Sequence, residues 1–414
     1  MDRIEADYLI ETPVDPDSAV RVMAGEQSTG TFVAVPGETP ELHERSGARV
    51  EHLEVLETRQ APSLSGGKSG EGYHRARVTL SWPRGNIGND VVNLTATVAG
   101  NLFELQEFTG LKLLDIRLPD PFLAAYPGPK FGITGTRALS GVEQGALIGT
   151  IIKPSIGLNA TETAQMVQNL CDAGIDFIKD DELQADGAVC PFEERAIEVM
   201  KVINAHHKKT GKKVMFAFNI SGTIEQMAAR HDMVHELGGT CVMVSLNAVG
   251  LAGLLWLNSY SKLPIHAHRN GWGALSRAEI LGWEYPAWSK IWRLAGADHL
   301  HVNGLQNKFS EPDDSVVRSA KSVQTPLSDK HPHIAMPVFS SGQTVVQVGD
   351  TFERVGSADC IYAAGGGILA HPDGPKAGVI ALRQAWDCAI SGAERERFAE
   401  THPEFKTALK AFSK

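Results

Sequence analysis

The sequence predicts an α/β protein in which an N-terminal α+β domain precedes a C-terminal (β/α)8 TIM barrel. Three observations predict it: a change of rhythm after about residue 125, eight short apolar segments that alternate with helical ones, and polar residues directly after most of these segments. The length of 414 residues and the hydrophobic fraction of 43% allow sizeable cores to be buried. We therefore expect the α+β domain over residues 1–125 and the barrel, with C-terminal helices, over residues 126–414.

The first 125 residues mix short β-like segments with helical patches such as residues 16–25, which is typical of an α+β arrangement. Residues 62–72 are rich in serine and glycine and predict an exposed loop. Four prolines between residues 117 and 132 predict a linker, because helices and central strands tolerate proline poorly. The predicted strands of this domain cover residues 8–11, 31–35, 50–57 and 74–82.

After the linker, apolar strand-like segments recur roughly every 20 to 40 residues. They cover residues 146–152, 174–178, 213–218, 241–246, 263–266, 297–302, 334–339 and 360–364. Helical segments such as residues 160–173 and 193–208 separate them. A doubly wound sheet would also alternate in this way, but eight strand–helix units over about 240 residues favour a closed barrel.

Composition excludes several classes of function. The formal net charge of −10 and the lack of a basic stripe argue against a nucleic-acid partner. The five cysteines lie far apart without a CxxC pair, which predicts neither disulfides nor zinc and is typical of the reducing cytoplasm. Residues 1–7 are too acidic and polar for a secretory or transit signal.

One uncharged stretch, residues 237–261, is long enough to cross a bilayer. Glycines and polar residues interrupt it, so a buried strand that runs through a turn into an apolar helix is the better interpretation. We therefore expect no membrane partner.

Polar residues gather where the predicted barrel strands end, and the chemistry of such barrels takes place there. Six of the eight segments end in this way, which is difficult to explain as chance. The six sets are Lys153-Pro154-Ser155, Lys179-Asp180-Asp181-Glu182, His266-Ala267-His268-Arg269, His301-Val302-Asn303-Gly304, Ser340-Ser341-Gly342 and Gly365-Gly366-Gly367.

The run Lys179-Asp180-Asp181-Glu182 predicts a magnesium site. Strand alternation sends Lys179 and Asp181 to one face, and Glu182 joins them if the strand ends and the chain turns there. Mg²⁺ takes one or two carboxylates together with substrate and water. An ammonium would repel the metal, so Lys179 lies elsewhere, pairs with a carboxylate or carries CO2 as a carbamate. The alternative is an acidic strand end with a salt-bridged lysine.

The two glycine-containing sets after the last strands predict a phosphate site, because glycine lets backbone N–H groups approach an anion. An ordinary loop is the alternative. Arg269, with His268 and His301, is suited to hold a second phosphate or a substrate oxygen. Each histidine could equally be a satisfied core residue.

Two lysines are candidates for catalysis. Lys153 ends an apolar strand beside other cations, which favours a lowered pKa and a role as a base. Its alternative role is to hold an anion. Lys308 lies in a polar loop, residues 301–309, that could close over a bound anion, and the alternative is a solvated loop lysine.

Together these segments resemble the large subunit of ribulose-bisphosphate carboxylase/oxygenase (RuBisCO) over most of the chain. The resemblance implies that Lys179 is carbamylated by CO2 and binds Mg²⁺ with Asp181 and Glu182. Residues 149–154 resemble the family's segment with the general base, which implies that role for Lys153.

The same resemblance implies roles for the other candidates. It implies that His268 and Arg269 are the family's His-Arg pair and that His301 is its sixth-strand histidine. Lys308 would belong to the family's mobile sixth loop. The residues that would bind phosphate are Ser340, Gly342, Gly365 and Gly366. Residues 26–32 and Asn101 resemble the elements that complete the neighbouring subunit's site, with Glu26, Thr31 and Asn101 as contacts. The resemblance therefore implies a homodimer with shared sites.

Four departures from the carboxylase pattern argue against carboxylation of ribulose bisphosphate and indicate a RuBisCO-like protein. Ser155 replaces a lysine, Ile151 a threonine, Phe32 a tryptophan and Trp272 a histidine. The class implies Mg²⁺-dependent enolate chemistry on a phosphorylated keto compound. Lys308 favours a reaction that moves a carboxyl group, the transcarboxylation and hydrolysis of 3-oxo-isoapionate 4-phosphate. The enolase or isomerase reactions of methylthio-sugar phosphate salvage and a non-catalytic metabolite-binding role are the alternatives.

Overall fold

The computed structural model describes residues 2–30, 33 and 35–413. Contacts divide the chain into two compact units. The first contains Met1–Pro127, Gly271–Leu294 and Pro326–Pro332, and the second contains Gly128–Asn270, Ala295–Thr325 and His333–Lys414. Two short segments from the second half of the sequence thus belong with the N-terminal unit.

The described strands are named in chain order. They are β1 (Arg3–Thr12), β2 (Arg49–Arg59), β3 (Tyr73–Pro83), β4 (Gly110–Arg117), β5 (Leu147–Ile151), β6 (Phe177–Lys179), β7 (Met215–Asn219), β8 (Cys241–Ser245), β9 (Ile265–His268), β10 (Leu281–Trp283), β11 (His299–Asn303), β12 (Met336–Phe339) and β13 (Ile361–Ala363).

The described helices are named in the same way, and a 3-10 helix covers Asn101–Glu104. They are α1 (Pro16–Glu26), α2 (Pro40–Ser46), α3 (Arg84–Ile87), α4 (Val91–Ala99), α5 (Asp120–Leu123), α6 (Gly132–Ser140), α7 (Ala160–Asp172), α8 (Phe192–Thr210), α9 (Ile224–Glu236), α10 (Leu246–Tyr260), α11 (Trp272–Ser276), α12 (Tyr285–Leu294), α13 (Asp313–Gln324), α14 (Val348–Val355), α15 (Gly365–Leu369), α16 (Gly374–Ser391), α17 (Arg395–Glu400) and α18 (Pro403–Phe412).

The first unit contains a mixed sheet in the order β10-β4-β1-β3-β2, in which only the β10–β4 pair is parallel. Strand β1 alternates between buried and half-buried residues, so one face of it packs on a core. The predicted α+β class is confirmed. Three of the predicted strands lie within β1, β2 and β3, whereas β4 and β10 were not among the predicted strands.

Two predictions for this unit need comment. Of the predicted strand at residues 31–35, residues 31, 32 and 34 lie outside the described part, and residues 33 and 35 are not in a strand. The predicted linker contains the short helix α5, because Pro121 occupies its first turn, where no intrahelical N–H is needed.

The second unit contains a closed barrel in the order β11-β12-β13-β5-β6-β7-β8-β9. Each neighbouring pair is parallel, and each observed strand overlaps one predicted apolar segment. The predicted (β/α)8 barrel is confirmed. Its interior is packed with side chains that include Leu147, Phe177, Met215, Met243 and Val338.

Two buried carboxylates secure the lower end of the barrel, where the strands begin. Asp176 precedes β6 and accepts from Ile148 N at 2.9 Å. Asp298 precedes β11 and accepts from Ile265 N at 2.8 Å, from Phe131 N at 2.7 Å and from Gly132 N at 2.8 Å. Each carboxylate thereby ties one strand to the backbone of its neighbour. Burial raises the pKa of Asp298 to about 6.

The uncharged stretch forms β8 and then α10, as predicted, with Gly250 at φ 74° inside the helical segment. Among the described helices, none combines the length and apolar character that a bilayer crossing requires. The five cysteines are buried and free, in agreement with the predicted lack of disulfides.

Candidate active site

The predicted metal-binding residues meet at the end of β6. Lys179 is fully buried, and its Nζ donates to Asp180 O at 2.9 Å and to Glu182 Oε2 at 3.3 Å. The Nζ of Lys153, at the end of β5, lies 2.7 Å from Asp181 Oδ2. The strand ends at Lys179 and the chain turns, which brings Glu182 to the same side as the two lysines.

Asp180 has a different role, because its carboxylate lies away from this cluster. It pairs with the buried guanidinium of Arg195 at 3.2 Å and accepts from Asn219 N at 2.9 Å. The side chain of Asn219 in turn donates to Asp181 O at 3.3 Å and to Glu182 O at 3.2 Å. Arg195 and Asn219 thus hold the backbone that carries the predicted ligands, and the sequence analysis identified neither.

The charges in this cluster are set by burial and proximity. Burial lowers the pKa of Lys179, against the influence of the neighbouring carboxylates. Burial raises the pKa of Glu182, but His268 and Lys179 outweigh it and lower the value to about 2. Burial and Lys179 lower the pKa of His268 to about 4, and its Nε2 lies 3.5 Å from Glu182 Oε2. At neutral pH, a carboxylate therefore faces an uncharged imidazole.

The donor set suits a hard divalent cation. Asp181 and Glu182 supply carboxylate oxygens, which match the one or two carboxylates that Mg²⁺ takes from protein. Among the described residues, no three His, Cys, Asp or Glu side chains are grouped as metal ligands. Lys179 would complete the set as a carbamate, because CO2 adds to an uncharged amine and converts it into an oxygen ligand.

Lys153 is the more exposed of the two lysines, with 44% of its side chain accessible. Its Nζ also donates to Ser155 Oγ at 2.7 Å. The ammonium therefore bridges a hydroxyl and a buried carboxylate while one side remains open to solvent. A base that exchanges protons with a bound molecule needs this access.

The guanidinium of Arg269 is held by a residue that the sequence analysis did not identify. Glu311 Oε2 lies 2.5 Å from Arg269 Nη2 and accepts from Asn303 Nδ2 at 3.1 Å. Ser315 Oγ donates to Glu311 Oε1 at 2.8 Å. Both partners of the ion pair are largely buried, with side-chain exposures of 10% and 16%. The charge of Arg269 is thus partly neutralised within the protein.

The two predicted phosphate loops touch each other. A Cβ on Gly367 would lie 2.7 Å from Gln343 O, so only glycine allows this approach, whereas a Cβ on Gly366 would meet nothing within 4 Å. Ser341 and Gly342 have φ values of 73° and 90°, which bends the loop after β12. The backbone at Gly365 and Gly366, at the start of α15, is therefore accessible to a small anion.

Lys308 lies in the loop between β11 and α13. Its backbone N donates to Ser341 O at 3.3 Å, which joins its loop to the loop after β12. Its Nζ lies 5.2 Å from the centre of the Phe309 ring, and the residue is exposed. Of the N-terminal candidates, Glu26 ends α1 and Asn101 begins the 3-10 helix, both in the first unit, whereas Thr31 lies outside the described residues.

Both parts of the chain match known family descriptions. Residues 132–412 match "Ribulose bisphosphate carboxylase large chain, catalytic domain", and residues 6–122 match "Ribulose bisphosphate carboxylase large chain, N-terminal domain". The chain belongs to the RuBisCO large-chain family.

The family contains relatives of several activities. The chain is 55% identical over 408 residues, 99% of each chain, to the 3-oxo-isoapionate-4-phosphate transcarboxylase/hydrolase of Xanthobacter autotrophicus. It is 43% identical over 408 residues, 98% of each chain, to the 3-oxo-isoapionate-4-phosphate decarboxylase of Rhizobium etli. The crystal structure of a RuBisCO-like protein from Burkholderia fungorum is 44% identical, with a TM-score of 0.94 and full coverage of both chains.

The departures from the RuBisCO carboxylase pattern have structural consequences where they are described. Ser155 accepts the hydrogen bond from Lys153, so no second lysine competes there. Ile151 is partly buried and packs against the barrel interior. Trp272 is buried against Tyr285 and Trp288 within the first unit, and Phe32 lies outside the described residues.

Proposed function

We propose that this protein is a Mg²⁺-dependent enzyme that catalyses the transcarboxylation and hydrolysis of 3-oxo-isoapionate 4-phosphate. The observation that carries the choice of reaction is the 55% identity, over 99% of both chains, with the relative of that name. The cluster at the end of β6 supports the chemistry, because it combines two carboxylates, a buried amine and an accessible lysine.

In this proposal, Asp181, Glu182 and the carbamate of Lys179 would hold Mg²⁺. The cation, when bound, would supply positive charge that offsets the negative charge developing on the substrate. Arg195 and Asn219 keep the ligand backbone in place through their contacts with Asp180, Asp181 and Glu182.

Lys153 acts as the base that removes and returns a proton. Its contact with Asp181 at 2.7 Å places the amine beside the metal-binding residues, and its exposed side faces the solvent from which substrate arrives. A positioned base of this kind contributes about 10²- to 10⁴-fold to a rate. His268 is uncharged, and its Nδ1 accepts from Asn270 N at 3.3 Å, so its hydrogen lies on Nε2, which faces Glu182 Oε2 at 3.5 Å.

The substrate carries a single phosphate. The backbone at Gly365 and Gly366, together with Gly342, binds that phosphate, whereas Ser340 contacts a hydroxyl group of the substrate. Glu311 neutralises Arg269, and the carboxylate disfavours a second phosphate at that guanidinium. This pairing supports a monophosphate over a bisphosphate such as the substrate of the carboxylases. Lys308 binds the carboxylate of the substrate when its loop closes.

We also infer a homodimer in the cytoplasm, in which Glu26, Thr31 and Asn101 complete the site of the partner subunit. Measurement of the molar mass in solution by light scattering tests the dimer. An Asn101→Ala chain mixed with a Lys153→Met chain tests the sharing, because one intact site per mixed dimer would restore turnover.

The proposed reaction is tested with purified protein, Mg²⁺, bicarbonate and 3-oxo-isoapionate 4-phosphate. We expect 3-phosphoglycerate and glycolate in equal amounts, with loss of turnover when a chelator removes the metal. Release of CO2 without glycolate would instead assign the decarboxylase activity, which the 43% identical relative favours. Turnover of a methylthio-ribulose phosphate, without turnover of 3-oxo-isoapionate 4-phosphate, would exclude both the transcarboxylase/hydrolase and the decarboxylase activity.

A further inference from the structure

A line of hydrogen-bonded side chains crosses the interior of the barrel from α6 to the loop after β12. Thr136 Oγ1 lies 2.7 Å from His299 Nε2, and His299 Nδ1 lies 3.3 Å from His266 Nδ1. His266 Nε2 lies 2.8 Å from His301 Nε2, and His301 Nδ1 lies 3.2 Å from Ser340 Oγ. The first three residues are fully buried, and the last two are exposed by 3% and 8%.

The direction of the first hydrogen bond follows from Thr136. Its hydroxyl is also in short contact with Gly132 O, and a carbonyl oxygen can only accept. Because the hydroxyl has one hydrogen, which lies between these two oxygens, Thr136 Oγ1 must accept from His299. His299 therefore carries its hydrogen on Nε2.

The remaining directions follow one after another, because each imidazole is uncharged. Burial lowers the pKa of His299 to about 3, and burial also lowers the pKa values of His266 and His301 well below their usual range. An uncharged imidazole has one donor and one acceptor nitrogen. His299 Nδ1 thus accepts from His266 Nδ1, and His266 Nε2 accepts from His301 Nε2. His301 Nδ1 is then an acceptor, so Ser340 Oγ donates to it.

We infer that Thr136, His299 and His266 are positioning residues that fix the tautomer of His301 and commit the hydrogen of Ser340 to the barrel interior. Ser340 then presents only lone pairs to a bound molecule. It accepts a hydrogen bond from a substrate hydroxyl and cannot donate one to a phosphate or carboxylate oxygen. The effect of Thr136 reaches the site without any contact between Thr136 and substrate.

Neutron diffraction from crystals grown in D2O tests this assignment in the unmodified protein. We expect deuterium on Nε2 of His299, Nδ1 of His266 and Nε2 of His301, with the Ser340 deuterium directed at His301. Any other distribution over these four groups would overturn the inference. This measurement needs no substrate, so its result is independent of the proposed function.

Thr136→Val tests the cause. Valine cannot accept from His299 Nε2, and buried N–H groups without a partner are rarer in proteins than buried acceptors without one. We expect the whole line to reverse, with deuterium on Nδ1 of His301 and the Ser340 hydroxyl released toward the site. An unchanged distribution would show that Thr136 does not set the direction.

The control variants keep the result interpretable. Thr136→Ser retains the hydroxyl and should keep the original distribution. Thr351→Val is the matched control, because Thr351 is also fully buried in a helix and its hydroxyl also donates to the carbonyl oxygen four residues earlier, Gln347 O, at 2.7 Å. If Thr136→Val fails to fold, the distribution in the unmodified protein and in Thr136→Ser still decides the inference.

The kinetic consequence rests on the proposed function. We expect Thr136→Val to raise KM for 3-oxo-isoapionate 4-phosphate about tenfold, since one substrate hydrogen bond is lost, while kcat changes less than about threefold. Thr136→Ser and Thr351→Val should leave both constants within about twofold. Equal losses in the two valine variants would indicate a packing effect and contradict a positioning role.

Discussion

At the scale of single residues, this site depends on which charges are neutralised by neighbours. Lys153 and Arg269 both lie just after barrel strands, yet Lys153 contacts Asp181 in the candidate metal site and Arg269 pairs with Glu311. The same type of ion pair has different consequences in the two places. The first leaves an amine with an open side for proton transfer, and the second reduces the attraction of a guanidinium for an anion.

Replacement of Lys153 by methionine should abolish proton transfer but retain the ligand site. We expect kcat to fall about 10³-fold while the Kd for 3-phosphoglycerate, measured by calorimetry, changes less than about threefold. Lys201→Met, on the exposed face of α8, is the control and should leave both values unchanged. A variant that keeps its turnover would exclude Lys153 as the base.

Replacement of Glu311 by glutamine should admit a second phosphate. The change removes one negative charge beside Arg269, and at about 6 Å a unit charge contributes about 3 kcal/mol at an effective dielectric constant of about 20. We expect the Kd for ribulose 1,5-bisphosphate to fall about 100-fold and the Kd for 3-phosphoglycerate to stay within about twofold.

The matched control for this change is Asp314→Asn, which removes a charge from an exposed side chain that pairs with Arg354. It should alter neither Kd. Tight binding of the bisphosphate by the unmodified protein would contradict the role of Glu311.

At the scale of elements, buried carboxylates at the beginnings of strands hydrogen-bond to the backbone of neighbouring elements and so hold the barrel together. Asp298 accepts three backbone N–H donors, which connect β11 to β9 and to the start of α6. The start of helix α7 is also fixed by side chains, because Asn159 and Glu162 form a reciprocal cap. The helix was predicted over residues 160–173 and is observed over Ala160–Asp172, so only its last residue differs.

Asp298→Asn should weaken the barrel because the amide must direct an NH2 group at one of the backbone N–H donors. We expect the free energy of unfolding, measured with urea, to fall by about 3 kcal/mol. Asp172→Asn is the control, since that carboxylate is 58% exposed, and it should change the value by less than about 0.5 kcal/mol. Equal effects of the two changes would show that Asp298 has no special role.

The secondary-structure elements also show which features cannot be predicted from local sequence patterns. The eight barrel strands were predictable because each is a buried apolar segment bounded by turn residues. Strand β10 was missed because its three residues are partly exposed and gain their strand structure only by pairing with β4. Asn219 and Glu311 were missed for a related reason, since their contacts depend on how segments far apart in sequence align.

At the scale of the whole molecule, the second unit encloses several imidazoles that fold in the uncharged form. His266, His299 and His301 are packed around Phe177 and one another inside the barrel. Each takes up a proton readily only when the chain unfolds. The stability of the barrel is therefore linked to pH.

We expect the free energy of unfolding to fall between pH 7.5 and 5.5. Below pH 6.5 each unfolded histidine binds a proton that the folded one does not, which costs about 1.4 kcal/mol per residue and pH unit, or about 4 kcal/mol for the three. His268, whose pKa burial lowers to about 4, adds about 1.4 kcal/mol in the same way. Asp298, whose pKa rises to about 6, opposes this by about 1 kcal/mol because the folded state binds its proton more tightly. Urea titrations at the two pH values should thus differ by about 4.5 kcal/mol.

Two variants separate the contribution of one histidine. His299→Gln should reduce the difference by about 1.4 kcal/mol, whereas His207→Gln, at an exposed position on α8, should leave it unchanged. If the free energy of unfolding changes by the same amount between the two pH values in both variants, His299 is excluded as a source of the pH dependence.

The sequence by itself determined the fold class, the eight barrel segments and the polar residues at the strand ends, because burial and turn formation leave a local pattern in the chain. Only the tertiary structure decided which of those residues meet. It joined Glu311 to Arg269, Lys153 to Asp181, and Thr136 to Ser340 through three histidines, because such contacts depend on the register of strands and loops that lie far apart in the sequence.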